Sequence, residues 1–353
     1  MGIRDFRSDT VTRPTPAMLA AMAGAELGDD VLDGDPTVAR LERAAAAWLG
    51  KDGALFVPSG TMANQCAIGS WTRPGDELIV ERSAHVVQWE SGAAAANHGV
   101  QTLTLQAEDG AFALEDLRSA FRPKSFHCPR QVLVCVEQSF MGSGAGPGGR
   151  VLPRAKLEQI AELCGQRGLA IHMDGARLAN AVVASGVGAA DWARMADSVS
   201  LCFSKGLGAP VGSVIAGDEE FLERARLVRK RLGGWMRQAG MLAAAALYAL
   251  ENHVERLAQD YENARELAAR LDELPGLSCP PDEVETNIVM VRIDDERLDA
   301  QRMSTEFERH GVRVMPMNDR ALRFVTHLDV GAEDVAAVRE AAERILGLSR
   351  AAR

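Results

Sequence analysis

The chain of 353 residues is 47% hydrophobic and carries a formal net charge of -10. So acidic a chain offers no basic stripe for nucleic acid, and no apolar run reaches the roughly 20 residues that cross a membrane. Residues 1–16 hold Arg4, Asp5, Arg7 and Asp9 where a secretory leader needs an apolar core. Six cysteines form no C-x-x-C pair, and Cys66, Cys135, Cys164 and Cys202 lie in apolar or strand-like surroundings. They read as buried free thiols of a cytoplasmic protein.

The first clear helix is expected over residues 37–49, with Thr37 as its N-cap and Val38, Leu41, Ala45 and Trp48 on one face. Short apolar runs then alternate with helical patterns. Strands are expected at 54–57, 78–80, 131–136, 169–173 and 198–203, with helices between them such as 154–167. That alternation predicts βαβ units and a mainly parallel sheet. Such sheets bind ligands beyond the carboxyl ends of their strands. From about Leu242 an Ala/Leu/Glu-rich helical stretch runs to about Leu274, followed by strand candidates at 287–291, 312–315 and 321–325. Two domains are expected, 1–246 and 247–353, with the division inside the long helix.

The residues fit for chemistry fall at the strand ends. Lys205 is one of five lysines, and it alone follows a buried apolar run, in Ser204-Lys-Gly-Leu-Gly-Ala-Pro210. Desolvation there suits an amine that forms imines. Asp174 closes the run before it, in His172-Met-Asp-Gly-Ala-Arg177, and could pair with a pyridinium nitrogen. Gly60 and Thr61 open a helix whose free amides favour a phosphate, and Ser204 could add a hydroxyl. His85 could stack on a flat ring or move a proton, and His127 carries the same two meanings. Arg177 and Arg323 could clamp a carboxylate. Each has a plainer meaning by itself: a snorkelling lysine, a capping carboxylate, an ordinary capped helix, a structural histidine, a surface ion pair. Together they point to a pyridoxal-phosphate (PLP) enzyme working through Lys205. The run Gly144-Ala-Gly-Pro-Gly-Gly149 matches G-x-G-x-x-G and keeps a nicotinamide-dependent oxidoreductase as an alternative. Against it, about seven residues separate the motif from its strand, and Pro147 removes a backbone donor.

The same residues resemble the low-specificity L-threonine aldolases over nearly the whole length. The matching stretches are Phe6-Arg-Ser-Asp-Thr-Val-Thr12, Gly28-Asp-Asp-Val31, Asp35-Pro-Thr37, Val57-Pro-Ser-Gly-Thr-Met62, His172-Met-Asp-Gly-Ala-Arg177, Ser204-Lys-Gly-Leu-Gly-Ala-Pro-Val-Gly-Ser213, Met236-Arg-Gln-Ala-Gly240 and Arg323-Phe-Val-Thr-His327. The resemblance implies an α/β fold of the aspartate aminotransferase type (PLP fold type I), with a seven-stranded, mainly parallel sheet and a smaller C-terminal α/β domain. It implies that Lys205 carries the cofactor, that Asp174 pairs with its ring nitrogen, and that His85 stacks on the ring. Gly60, Thr61 and Ser204 would hold the phosphate. Ser8, Arg177 and Arg323 would hold the substrate carboxylate, with His127 near the β-hydroxyl. Lys230 and Arg237 would reach a neighbouring subunit's phosphate site in a homotetramer. The implied reaction splits an L-β-hydroxy-α-amino acid into glycine and an aldehyde, with β-elimination and transamination as nearer alternatives. Three departures, Leu32, Phe140-Met141 and Trp235, predict a larger or more apolar pocket around the substrate's side chain.

Overall fold

The computed structural model describes residues 2–107, 109–142, 146 and 148–348. A short strand, β1 (Arg4–Asp5), opens it. Seven strands then form one sheet: β2 (Gly53–Val57), β3 (Glu77–Glu81), β4 (Gln101–Leu105), β5 (Gln131–Glu137), β6 (Ala170–Asp174), β7 (Ser198–Cys202) and β8 (Ser213–Gly217). Their order is β2-β8-β7-β6-β5-β3-β4. The four pairings among β3 to β7 are parallel, and β8 lies antiparallel between β2 and β7. The expected mainly parallel sheet therefore forms, with β4 and β8 added to the predicted strands.

Successive strand residues face opposite ways. Val134 and Val136 join one apolar layer with Ile79, Ile171 and Val199, while Leu133 and Cys135 join another with Leu78 and Val80. Burial on both faces is why these strands read as unbroken apolar runs. Cys66, Cys135, Cys164, Cys202 and Cys279 are buried and unpaired.

The helix Pro36–Leu49 corrects one expectation. Its N-cap is Asp35, which accepts from the Thr37 and Val38 amides at 2.9 and 3.0 Å. Pro36 takes the first helical position, where a missing N–H costs nothing. Thr37 is already inside, its hydroxyl donating to the Glu26 carbonyl at 2.8 Å.

The stretch expected as one helix is two, Gly240–Asn252 and Leu257–Asp272. The buried residues Ala243, Ala246 and Leu250 of the first belong to the large core, on both sides of residue 246. A second core gathers Leu267, Leu271, Val289, Phe307, Phe324 and Val338 around a smaller antiparallel sheet. That sheet contains β9 (Leu277–Ser278) and β10 (Ile288–Ile293). After β11 (Val312–Arg313) come β12 (Met315–Asn318) and β13 (Ala321–Val325), giving the order β12-β13-β10-β9. β11 pairs instead with β1, in parallel, and Phe6 packs edge-on against Phe324 inside this second core.

Candidate active site at the carboxyl edge of the sheet

Glu137 and Asp174 are register partners where β5 and β6 end, and Lys205 lies in the turn that follows β7. Asp174 is buried. Its carboxylate accepts from Asn64 Nδ2 at 2.7 Å, the Ala176 amide at 3.0 Å and Ser200 Oγ at 3.4 Å. Burial alone would raise its pKa, but Lys205, His85, His172 and the Asn64 donor together hold it below the ordinary carboxylate value. A permanent anion thus stands beside an amine.

The strand period explains what surrounds Asp174. His172 and Asp174 are two apart on β6 and share a face, as Ser198 and Ser200 do on β7. His172 therefore meets Ser198 at 3.1 Å, while Ser200 meets Asp174. The helix Gly60–Trp71 covers this face and sends Asn64 between them. Burial pushes the His172 pKa down to about 4, so its ring is neutral. Asn64 also donates to the buried Glu90 at 2.8 Å, and Glu90 meets His85 Nδ1 at 2.9 Å. Glu137 accepts from the amides of His85 at 2.7 Å and Met141 at 2.8 Å. Burial, with Asp174 next to it, raises the Glu137 pKa to about 7.

Two buried guanidinium groups face this edge from the other side. Arg177 is bidentate to Asp9, at 2.8 Å from Nε and 2.6 Å from a terminal nitrogen, and Asn287 donates to the same carboxylate at 3.2 Å. Burial opposes the Asp9 charge, but Arg177 and then Lys205 pull its pKa well below the usual range. Among the described residues Arg323 makes no ion pair, although Asp9 lies near enough to favour its charge. The Arg323 guanidinium donates to the Arg7 carbonyl at 3.0 Å and lies 3.1 Å from the Met141 sulfur, while its buried Nε meets no acceptor. Burial and Arg177 bring its pKa down to about 10. Its open Nε leaves a buried donor available to an anionic ligand. Ser8 caps the turn at Asp9, accepting from the Thr10 amide at 3.2 Å.

The helix Gly60–Trp71 opens against the end of β7. A Cβ on Gly60 would lie 2.5 Å from the Cys202 sulfur, so only glycine fits. Ser59 caps the Met62 amide at 3.2 Å, and among the described residues nothing accepts from the Gly60 and Thr61 amides. Ser204 is half-buried beside Lys205. The lysine turn is clasped from behind. His253 Nδ1 donates to the Leu207 carbonyl at 2.8 Å, Arg256 to the Gly206 carbonyl at 3.1 Å, and Thr12 to the Lys205 carbonyl at 3.4 Å. Asn64, Glu90, Glu137, Asp9, His253 and Arg256 were not among the residues predicted for the site.

Several predicted residues are not gathered here within one subunit. His127 lies in the exposed loop before β5, its ring 3.8 Å from that of Phe126. That is the amino end of the sheet, a seven-residue strand or about 20 Å away. Lys230 and Arg237 are exposed; Arg237 pairs with Asp29 at 3.1 Å, and Lys230 lies 5.6 Å over the Trp235 ring. Of the positions expected to enlarge the pocket, Phe140 turns into the core against Gly110, and Leu32 is 74% exposed. Trp235 donates to Asp30 Oδ2 at 2.7 Å, and Met141 lies against Arg323. Gly144, Ala145 and Pro147 of the glycine motif lie outside the described residues. Gly149 packs against Thr286 and Ile288, twelve residues past the end of β5, where the fingerprint needs a tight strand-to-helix turn.

An amine, an ionised carboxylate, bare helix amides and a buried guanidinium with an open donor fit a phosphorylated pyridine cofactor and an amino-acid carboxylate. Residues 5–296 match the β-eliminating lyase family. The chain belongs to that family, and within it to the low-specificity L-threonine aldolases. It is 42% identical to low-specificity L-threonine aldolase 1 of Arabidopsis thaliana, over 94% of this chain and 93% of that one. It is 41% identical to the low specificity L-threonine aldolase of Escherichia coli strain K12, over 95% and 96%. The solved threonine aldolase of Leishmania major superposes with a TM-score of 0.81 at 22% identity, over 97% and 99%, and so shares the fold. The nicotinamide alternative falls with this membership.

Proposed function

We propose that this protein is a PLP-dependent aldolase that cleaves the Cα–Cβ bond of L-β-hydroxy-α-amino acids, threonine and its bulkier analogues among them, to glycine and an aldehyde. The observation that carries this is the convergence of Lys205, Asp174, His85 and the buried Arg323, which makes no ion pair among the described residues, on one sheet edge.

Lys205 supplies the amine that anchors the cofactor, and Asp174 the anion for its ring nitrogen. The Gly60 and Thr61 amides and the Ser204 hydroxyl donate to its phosphate. When bound, PLP supplies an electron sink for the breaking bond. Arg323 and Arg177, with Ser8, hold the substrate carboxylate and so orient Cα. His85, directly or through a water it holds, takes the β-hydroxyl proton. The oxygen's electron pair becomes the aldehyde carbonyl as Cα–Cβ breaks, and a proton returned to Cα yields glycine.

The residues left outside one subunit's site support a homotetramer whose active sites lie at subunit interfaces. Leu32 and the 92% exposed Phe126 present apolar surface; His127 adjoins Phe126, the exposed Arg237 pairs with Asp29 close to Leu32, and Lys230 is exposed as well. Analytical ultracentrifugation reads this directly. Free buried thiols support a reducing, cytoplasmic setting, and no helix among the described residues is long and apolar enough to cross a membrane.

The test is product analysis on threonine, allo-threonine and phenylserine. Glycine with the matching aldehyde is expected. Ammonia with a keto acid would make the protein an eliminating lyase, and amino-group transfer would make it an aminotransferase. A visible absorption band that borohydride removes, absent in Lys205→Ala, checks the cofactor's anchor.

A further inference from the structure

Hydrogen positions around His85 follow from groups that can only donate or only accept. Trp71 Nε1 only donates, and it points at Ser198 Oγ, 3.0 Å away. Ser198 Oγ, with that hydrogen on one lone pair, keeps its own free to give to His172 Nδ1, 3.1 Å away, and Asn64 Oδ1 on the ring's other side requires that arrangement. His172 is neutral and accepts at Nδ1, so it carries its hydrogen on Nε2. That hydrogen meets Asn64 Oδ1 at 3.1 Å. This fixes the Asn64 amide, because the opposite flip would aim its oxygen at two carboxylates. Its two hydrogens point at Asp174 Oδ2, 2.7 Å away, and Glu90 Oε1, 2.8 Å away.

Glu90 has its second oxygen taken by Gln65 Nε2 at 2.8 Å. Receiving hydrogens at both oxygens, it is a carboxylate and can meet His85 Nδ1, 2.9 Å away, only as acceptor. Nδ1 therefore holds the hydrogen. A neutral imidazole protonated there leaves Nε2 bare, and no described protein group pairs with His85 Nε2. Ligand atoms of His85, Glu90 and Asp174 lie within 4.8 Å of one another, the spacing of a metal site. The Asn64 amide already supplies the positive end there.

We infer that Glu90 is a positioning residue that fixes His85 in its Nδ1–H tautomer, making Nε2 the atom that takes the substrate's β-hydroxyl proton. The inference rests on the aldolase reading. In the step, the O–H bond breaks and an Nε2–H bond forms. The oxygen's pair becomes the carbonyl as the Cα–Cβ bond breaks, the pair of that bond going to the electron sink that bound PLP would supply, and the imidazolium left behind keeps Glu90 as its counter-ion. The charged groups facing His85 are Glu90 from its own segment, Asp174 from β6, Glu137 from β5 and Lys205 after β7. Burial disfavours a charged ring, but Glu90 and Asp174 outweigh it and raise the His85 pKa.

The test is a long-range proton–nitrogen correlation spectrum of nitrogen-labelled histidine in the holoenzyme. His85→Asn assigns the His85 signals. The neutral ring should show a protonated Nδ1 and a bare Nε2. In Glu90→Gln the ring should shift toward the Nε2–H form, and the acidic limb of kcat/KM should move down by about one pH unit. Glu90→Asp should restore part of both. A wild-type His85 with its hydrogen on Nε2 overturns the inference, as does Glu90→Gln with both tautomer and limb unchanged. Should Glu90→Gln not fold, the wild-type spectrum still decides. Failure of the aldolase reading shows separately, as no glycine or aldehyde from the wild type.

Discussion

Asp9 and Arg177 form a buried ion pair whose disruption should be felt in both stability and binding. Asp9→Asn keeps the shape of the side chain but removes the charge that receives hydrogen bonds of 2.8 and 2.6 Å from Arg177. Removing one partner of a buried pair leaves an uncompensated charge and costs about 3–5 kcal/mol. With a urea slope on the order of 3 kcal/mol per molar, the unfolding midpoint should fall by at least about 1 M. The double variant Asp9→Leu/Arg177→Met removes both charges and should recover most of that loss, because paired buried ions often contribute little net stability. The sign with pH is fixed as well. The native Asp9 pKa lies below its unfolded value. The stabilisation is therefore complete above the unfolded pKa, roughly 3.9, and fades as pH falls through the native one. Urea titrations of wild type, single and double variants read all of this. A single variant within about 0.5 kcal/mol of wild type, the usual range of surface substitutions, would refute the reasoning. So would a double variant no more stable than the single.

Arg323→Met removes a buried cation that makes no ion pair among the described residues, so the fold should tolerate it. kcat/KM should drop by about a hundredfold or more, the loss of a charged hydrogen-bonding partner, with the cofactor band unchanged; loss of that band would place Arg323 elsewhere in the mechanism. Gly60→Ala forces its Cβ to within 2.5 Å of the Cys202 sulfur; fluorescence titration should find weaker cofactor binding, and unaltered affinity would contradict the close approach. Glu137 has a native pKa raised to about 7, so its contribution to stability is complete below its unfolded value and lost as pH rises through about 7. Glu137→Gln should flatten the decline in stability across that window, and an unchanged urea–pH profile would count against the burial of an ionisable carboxyl there.

The parallel sheet was legible because its central strands are buried on both faces and so carry unbroken apolar runs. Lys205 and Asp174 stood out because each ends such a run beside glycines. Contacts that close over long sequence separations were not legible. Asp9 reaches Arg177 across 168 residues, and Asn64 reaches Asp174 across 110. No local pattern marks either, though both fall within or beside the stretches that carry the family resemblance. The break at 253–256 has no Gly or Pro to announce it. It forms because His253 and Arg256 turn to the lysine loop's carbonyls, a tertiary cause. β8 was hidden because Ser213–Gly217 continues a glycine-rich motif read as a binding loop. Phe140 was misplaced because a strand-end residue can turn to either face, and only Gly110 opposite shows which. The Asp35 cap, by contrast, was readable from Asp-Pro alone.

The first strand of the chain pairs with β11, some three hundred residues downstream, and Asp9 just after it holds both Arg177 and Asn287. A ribosome releases the N-terminal segment first, yet its strand β1 has no pairing partner until the last quarter of the chain emerges. The Rossmann-like sheet can assemble during synthesis, while the substrate-carboxylate side of the site is finished only at its close. Chains truncated before β13 would thus carry the lysine and its neighbouring carboxylate without Arg323, the residue proposed to hold the substrate carboxylate.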